Sequence, residues 1–185
     1  NQKFIKKVIS TKKKFNICNL STRDLNKGSY STYFLKEIND TELFLKRTIL
    51  KYIDFKKKKN QKIEGSFNKR IIDKLKNEKI KNIIFTGMGS CYTAAVGISK
   101  YLLTNLPLPV RNKIKVQATL ASEGSGFYLT KNMNDTIIIV LAQSGTTIDT
   151  NVYVKLARKR GAYTIAIVNK KDGDVTYIVQ KSLYL

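Results

Sequence analysis

The run Thr136–Ala142, which reads Thr-Ile-Ile-Ile-Val-Leu-Ala, constrains this chain more than any other stretch. Its core, Ile137–Leu141, shows no polar alternation, as expected of a parallel strand covered on both faces. Gln143-Ser144-Gly145-Thr146-Thr147 follows, then a helix-patterned run, then a second buried strand at Tyr163–Val168. Strand, turn, helix and strand in that order deliver the turn to the carboxyl edge of a sheet, where open α/β folds bind ligands. Gly145 allows close backbone approach, and Ser144, Thr146 and Thr147 set hydroxyls beside the free N–H groups that open a helix. Together they form a cradle suited to phosphate. A plain hydroxyl-capped turn is the competing explanation of the same residues.

The rest of the chain extends this pattern. Asn82–Thr86 reads as a short buried strand, Gly87–Cys91 as a glycine turn and Tyr92–Asn105 as a helix with Ala94, Ala95, Ile98 and Leu102 on one face. Pro107 and Pro109 end that helix. Ile114–Ala118 is a second strand, Leu120–Leu129 a helix weakened by Gly124 and Gly126, and Ile148–Arg160 a helix closed by Gly161. Val175–Val179 reads as a short helical turn and Ser182–Leu185 as a last strand. Before all of these, Thr32–Ile53 shows helical spacing through Leu35, Ile38, Leu45, Ile49 and Ile53. A shorter helix at Phe67–Asn77 turns Ile71, Ile72 and Leu75 inward. Alternating strands and helices predict an α/β fold with a flavodoxin-like, doubly wound parallel sheet. The expected division is a basic extended arm over 1–30, a helical lead-in over 31–80 and the α/β domain over 81–185.

Charge bears on partners. The formal net charge is +22, from 35 Lys and Arg against 13 Asp and Glu. Such depletion of acids points to a negatively charged partner, most often nucleic acid and less often a membrane surface, unless the basic surface is merely solvated. Residues 1–80 hold 22 basic and 8 acidic residues, and residues 81–185 hold 13 and 5. Lys12, Lys13 and Lys14 in the arm, and Lys56, Lys57, Lys58 and Lys59 in a loop, are the candidate phosphate contacts of RNA. Four lysines in a row also serve as an ordinary solvated loop. Cys18 and Cys91 give neither a disulfide framework nor zinc spacing, and histidine is absent, so no metal site or cofactor is expected. No run approaches the roughly 18 apolar residues of a membrane span. The chain opens on Asn1 rather than Met, so it is either processed or given without its true start, and an address sequence could precede it. An organellar, mitochondrial location is favoured over a cytoplasmic one.

The turns at Gly87–Cys91 and Gln143–Thr147 follow strands that are neighbours in a flavodoxin-like order. Both turns and two helix N-termini then converge on one crevice, with Ser90, Ser144 and Thr147 as hydroxyl donors and Gln143 within reach of a sugar hydroxyl. Gly-Met-Gly-Ser-Cys-Tyr at 87–92, Ala-Ser-Glu at Ala121–Glu123 and Ala-Gln-Ser-Gly-Thr-Thr-Ile-Asp-Thr at Ala142–Thr150 resemble the sugar isomerase (SIS) domain. Within it, the first SIS half of glutamine–fructose-6-phosphate aminotransferases, the glucosamine-6-phosphate synthases, is the nearest match. Lys36-Glu37-Ile38 resembles the family's stretch before that half, so the resemblance runs from about Lys27 to Leu185.

The resemblance implies a phosphosugar site at Gly89, Ser90, Cys91, Gln143, Ser144, Gly145 and Thr147. Ser90 stands for the family's Thr, Cys91 for a Ser, Ala142 for a hydroxyl residue and Thr146 for a Glu, so the cradle is partly kept. Cys91 at a helix start has either a lowered thiol pKa or, more commonly, a packing role. The family's glutaminase domain, with its Cys nucleophile, and its second SIS half, with Glu, His and Lys, have no counterpart in these residues. Ring opening and proton transfer need a positioned acid and base. No catalytic residue is therefore assigned, and the chain alone is not expected to be active. The leading expectation is a non-catalytic SIS domain inside a larger assembly, a ribonucleoprotein such as an organellar ribosome. The alternatives are a sugar-phosphate-binding part of an aminotransferase-like enzyme, or a fragment of a complete one. A lone SIS half implies a protein partner over its exposed face.

Overall fold

The computed structural model describes residues 26–52, 73, 75 and 77–185. The chain divides into two compact units, Asn1–Phe44 and Leu45–Leu185. The first contributes the start of helix α1 (Tyr33–Tyr52). Thr32 precedes α1, and its Oγ1 accepts the Leu35 amide at 3.1 Å, satisfying one of the helix's free donors. A Lys36–Asp40 ion pair at 3.6 Å spans one helical turn. The apolar stripe read from the sequence is exposed: Leu35, Ile38, Leu45 and Ile49 are each 36–59% accessible. Helical spacing marks a face able to bury; it does not supply the surface that covers it. Ile53 of that stripe lies outside the described residues.

The second unit is built on a five-stranded sheet. Its strands are β1 (Asn82–Gly87), β2 (Lys115–Leu120), β3 (Thr136–Ala142), β4 (Tyr163–Val168) and β5 (Lys181–Tyr184). They lie in the order β2-β1-β3-β4-β5, and every neighbouring pair is parallel. Between them run α2 (Ser90–Asn105), the short α3 (Leu108–Arg111), α4 (Ala121–Phe127), α5 (Ile148–Lys159) and the single-turn α6 (Val175–Ile178). This is the expected α/β architecture.

Period-two alternation explains why β3 is apolar throughout. Ile138 and Val140 join Ile84, Ala166 and Val168 in a cluster with Tyr153, Val154 and Ala157 of α5. Leu141 turns the other way, into a cluster with Phe85 and with Ala95 of α2. Ile137 packs with Ile80 and Ile165. A central parallel strand must be apolar on both faces because a helix covers each one.

Several details differ from expectation. In α2 the buried residues are Ala95 and Ser99, with Leu102 partly buried, whereas Ala94 is exposed and Ile98 is 41% accessible. Ala94 and Ile98 sit four apart on the adjacent row of the helix, a quarter-turn from the buried one. Pro107 and Pro109 open a further helical turn, α3, where a proline's missing N–H costs nothing. The second strand starts one residue later and runs to Leu120, and α4 is shorter than the predicted helix. Of the helix expected at Phe67–Asn77, only Asp73 and Leu75 are described as helical, and Leu75 is 42% accessible rather than inward. The arm and the Lys56–Lys59 loop lie outside the described residues.

Candidate functional site

The chain reversals after β1 and β3 lie side by side because those strands are paired, Asn82 with Thr136 through Thr86 with Val140. Gly87 closes the distance between them. A β-carbon on Gly87 would stand 2.9 Å from both the Leu141 carbonyl oxygen and Cys91 Cβ. The end of β1, the start of α2 and the end of β3 therefore meet at one glycine.

In the first turn, Gly89 caps α2 with φ 54° and ψ −129°, and its carbonyl accepts the amides of Tyr92 at 3.0 Å and Thr93 at 3.2 Å. Ser90 is exposed on the first residue of the helix. Cys91 is a free thiol, half-buried against the Phe85–Ala95 cluster. Its contacts are those of a packing residue.

In the second turn, Gln143 and Ser144 are exposed beyond the end of β3. Gly145 has φ 73°, a left-handed conformation that residues with a β-carbon rarely adopt. This kink turns the Gly145 carbonyl inward, where it accepts the Val175 amide at 2.9 Å and Asn151 Nδ2 at 3.3 Å. Ser144 Oγ lies 2.9 Å from Thr146 Oγ1 and accepts the Thr146 amide at 3.3 Å. Thr147 caps α5 through its backbone but makes no side-chain capping bond, and it is exposed. The capping explanation thus accounts for the position of Thr147 and not for its hydroxyl. Asp149 in the first turn of α5 is the nearest carboxylate in sequence, and it tempers the positive field of that helix end.

Sequence reasoning missed a third loop. Residues 169–174 lie along the second turn: the Asn169 amide donates to the Ala142 carbonyl at 3.3 Å and the Lys170 amide to the Gln143 carbonyl at 3.1 Å. Gly173 packs on Ser144 and Gly145 so closely that a β-carbon would come within 2.2 Å of the Ser144 carbonyl oxygen. Lys170 and Lys171 are exposed on this loop, and Lys170 Nζ lies 3.8 Å from Asp172. The signal available in the sequence was the turn-forming Asp172-Gly173-Asp174 after a strand that must end at the same sheet edge.

The structure therefore brings Gly89, Ser90, Cys91, Gln143, Ser144, Gly145 and Thr147 to one edge of the sheet. Lys12, Lys13, Lys14 and Lys56 to Lys59 lie outside the described residues. Glu123 is exposed in the first turn of α4. Glu78 precedes β1, at the opposite edge, where Lys113 bonds both its oxygens at 2.7 and 2.8 Å and holds its carboxyl below the usual carboxylate range. Among the described residues no cluster of three or more Cys, Asp or Glu could hold a metal ion, and no helix is long and apolar enough to cross a membrane.

Residues 75–176 match the SIS domain family. The glutamine–fructose-6-phosphate aminotransferase [isomerizing] of Clostridium tetani is 32% identical over 162 residues, covering 85% of this chain and 24% of the relative. The enzyme of the same name from Pyrococcus horikoshii is 31% identical over 158 residues, covering 85% and 23%. This chain thus spans about a quarter of the length of the curated relatives it matches. Among solved structures, the C-terminal domain of glucosamine-fructose-6-phosphate aminotransferase from Francisella tularensis superposes with a TM-score of 0.64 at 21% identity, over 86% of this chain and 40% of that one. A glucosamine-6-phosphate deaminase from Thermotoga maritima superposes with a TM-score of 0.57 at 22% identity, over 83% and 40%.

Proposed function

This chain belongs to the SIS domain family, with homology to the SIS domain of glutamine–fructose-6-phosphate aminotransferases, and on that premise we propose that it is the sugar-phosphate-binding part of an aminotransferase-like enzyme. The observation that carries the reading is the Gln143–Thr147 turn. Gly145 is locked left-handed with its carbonyl turned inward, and exposed hydroxyls at Ser144, Thr146 and Thr147 stand at the N-terminus of α5. Hydroxyls and free amides at a helix start hold a phosphate by charge-assisted hydrogen bonds. Ser90, at the start of α2, supplies the second side of the cradle, and Gln143 is the residue for a sugar hydroxyl.

In this reading the chain binds and orients a hexose phosphate. The proton transfers of isomerisation need an acid and a base at the sugar carbons, and no residue of the cradle is assigned either role. A structural role in a ribonucleoprotein, with an organellar location, rests on the +22 charge, the basic arm, the Lys56–Lys59 run and the family parts that have no counterpart in these residues. Homology to sugar-phosphate aminotransferases gives the binding reading the greater weight.

Thermal denaturation with fructose 6-phosphate tests this. A ligand at a hundredfold excess over its dissociation constant stabilises the folded chain by about 2.7 kcal/mol. Fructose 6-phosphate or glucosamine 6-phosphate should raise the midpoint, and fructose without phosphate should not. No shift with either phosphate at millimolar concentration would overturn the reading.

A further inference from the structure

A cluster of cations stands apart from the candidate sugar-phosphate turn. Between the last turns of α5 and the single turn α6 lies an open cleft of about 390 Å³, lined among the described residues by Lys155, Arg158, Lys159, Tyr177 and Ile178. The three charged residues among these are all cations. The cradle lies at the other end of α5: from Thr147 to Lys159 the helix rises about 18 Å at 1.5 Å per residue. One hexose phosphate cannot reach both.

The fold gains little from this arrangement. Lys155 and Lys159 are one helical turn apart, a like-charge spacing that destabilises a helix by a few tenths of a kcal/mol. Among the described residues, no ion pair involves Lys155, Arg158 or Lys159. The helix C-terminus favours cations in its last turn, which accounts for Arg158 and Lys159 but less for Lys155, a turn further back. Arg158 is held in place, since its guanidinium donates to the Ile178 carbonyl. Tyr177 is 70% accessible, so its ring does not serve the core.

We propose that this cleft binds a nucleotide, with its phosphates on Lys155, Arg158 and Lys159 and its base stacked on Tyr177. Clefts of this size suit a ligand of that kind. Lysine and arginine neutralise phosphate, and an aromatic face beside them accepts a base of any identity. The overall charge of +22 raises the local concentration of such anions. The same chemistry fits a free nucleotide or one unit of a single RNA strand. This site is independent of the sugar-phosphate reading.

Binding of ATP, of inorganic triphosphate and of a ten-nucleotide oligouridylate to the full chain decides the matter. Lys155→Ala/Lys159→Ala should weaken ATP or oligouridylate at least tenfold. For the oligonucleotide it should also flatten the dependence of log affinity on log salt by about 1.4, two contacts at about 0.7 each. Tyr177→Ala should weaken both nucleotide ligands on the order of tenfold and leave triphosphate unchanged. All three side chains are exposed, so the variants should keep the wild-type melting midpoint and its response to fructose 6-phosphate. ATP bound as tightly as the oligonucleotide identifies a free nucleotide as the source. Tighter binding of the oligonucleotide identifies a strand. Affinities that none of the substitutions changes, or triphosphate binding equal to ATP with no effect of Tyr177→Ala, would overturn the proposal.

Discussion

Gly173 rests directly on the backbone of Ser144: a β-carbon at 173 would lie 2.2 Å from the Ser144 carbonyl oxygen and 2.8 Å from Gly145 Cα. Both obstacles are backbone, so neither can swing aside as a side chain would. Gly173→Ala must push the 169–174 loop off the turn that carries the candidate phosphate donors. The expected cost is about 1–3 kcal/mol, the range for forced overpacking. Fructose 6-phosphate should stabilise this variant less than the parent, because the displaced loop strains the Val175–Gly145 hydrogen bond. Urea denaturation with and without the sugar phosphate measures both effects.

A second close approach lies in the core. Tyr153 is fully buried, and a β-carbon on Gly124 would stand 2.5 Å from its Cε1. Gly124→Ala should therefore destabilise by about 1–3 kcal/mol as well, with the ring forced from its rotamer. The Tyr153 hydroxyl and Thr119 Oγ1 are buried close enough for Thr119 to draw the phenol's pKa down, yet among the described residues neither makes a hydrogen bond of good geometry. Tyr153→Phe removes one orphan, so it should be neutral or stabilising by up to about 1 kcal/mol. Burial pushes the Tyr153 phenol above its ordinary value near 10. The folded chain then holds its proton where the unfolded chain has lost it. That contribution to stability is complete below pH 10 and is lost as pH rises through the raised value. Denaturation from pH 8 upward should show a decline above pH 10 that Tyr153→Phe lessens.

Glu78 and Lys113 make an exposed ion pair through both carboxylate oxygens. The Lys113 hydrogen bond, and then its charge, lower the Glu78 pKa. A carboxyl NMR titration should place Glu78 below the ordinary value of a glutamate side chain. Lys113→Met should return it toward that value, and half-molar salt should do part of the same by screening. Because the carboxyl's folded value is depressed, any stability it lends is present above the unfolded value and fades as pH falls through the folded one.

The sheet was legible because burial on both faces leaves an unmistakable apolar run, and Tyr163–Val168 and Thr136–Ala142 were bounded to the residue. The β1 and β3 turns were legible for the same reason: an apolar parallel strand must end at the ligand-bearing edge. What escaped was set by tertiary context. Nothing in Leu35 or Ile38 states whether a partner surface covers them, and both are exposed. The face assigned to α2 spans two rows, of which the one with Ala95 and Leu102 is the more buried; small residues on both rows, Ala94 and Ala95, give no amphipathic contrast to choose between them. The 169–174 loop was missed because its hold on the cradle runs through backbone amides and a steric fit at Gly173, which side-chain motifs do not record.

The hydroxyls of the cradle can be separated from its backbone. Ser144 Oγ bridges Thr146 Oγ1 and the Thr146 amide on the exposed face of the turn, and Thr147 leaves its hydroxyl out of the helix cap. Ser144→Ala and Thr147→Val therefore touch no buried group, and each should shift stability without ligand by no more than about 0.5 kcal/mol. Each should cost about 1.5 kcal/mol or more of sugar-phosphate binding, the value of a hydrogen bond to a charged group, which is roughly tenfold in affinity. Gly145→Ala behaves differently, since it places a β-carbon where φ is 73° and 3.0 Å from Val175 Cγ1. That variant should lose stability by about 1–2 kcal/mol before any ligand is added. Calorimetric titration with fructose 6-phosphate beside thermal melts separates the two kinds of loss. If Ser144→Ala and Thr147→Val bind as the parent does, the phosphate is held by amides alone and the hydroxyls are not part of the site.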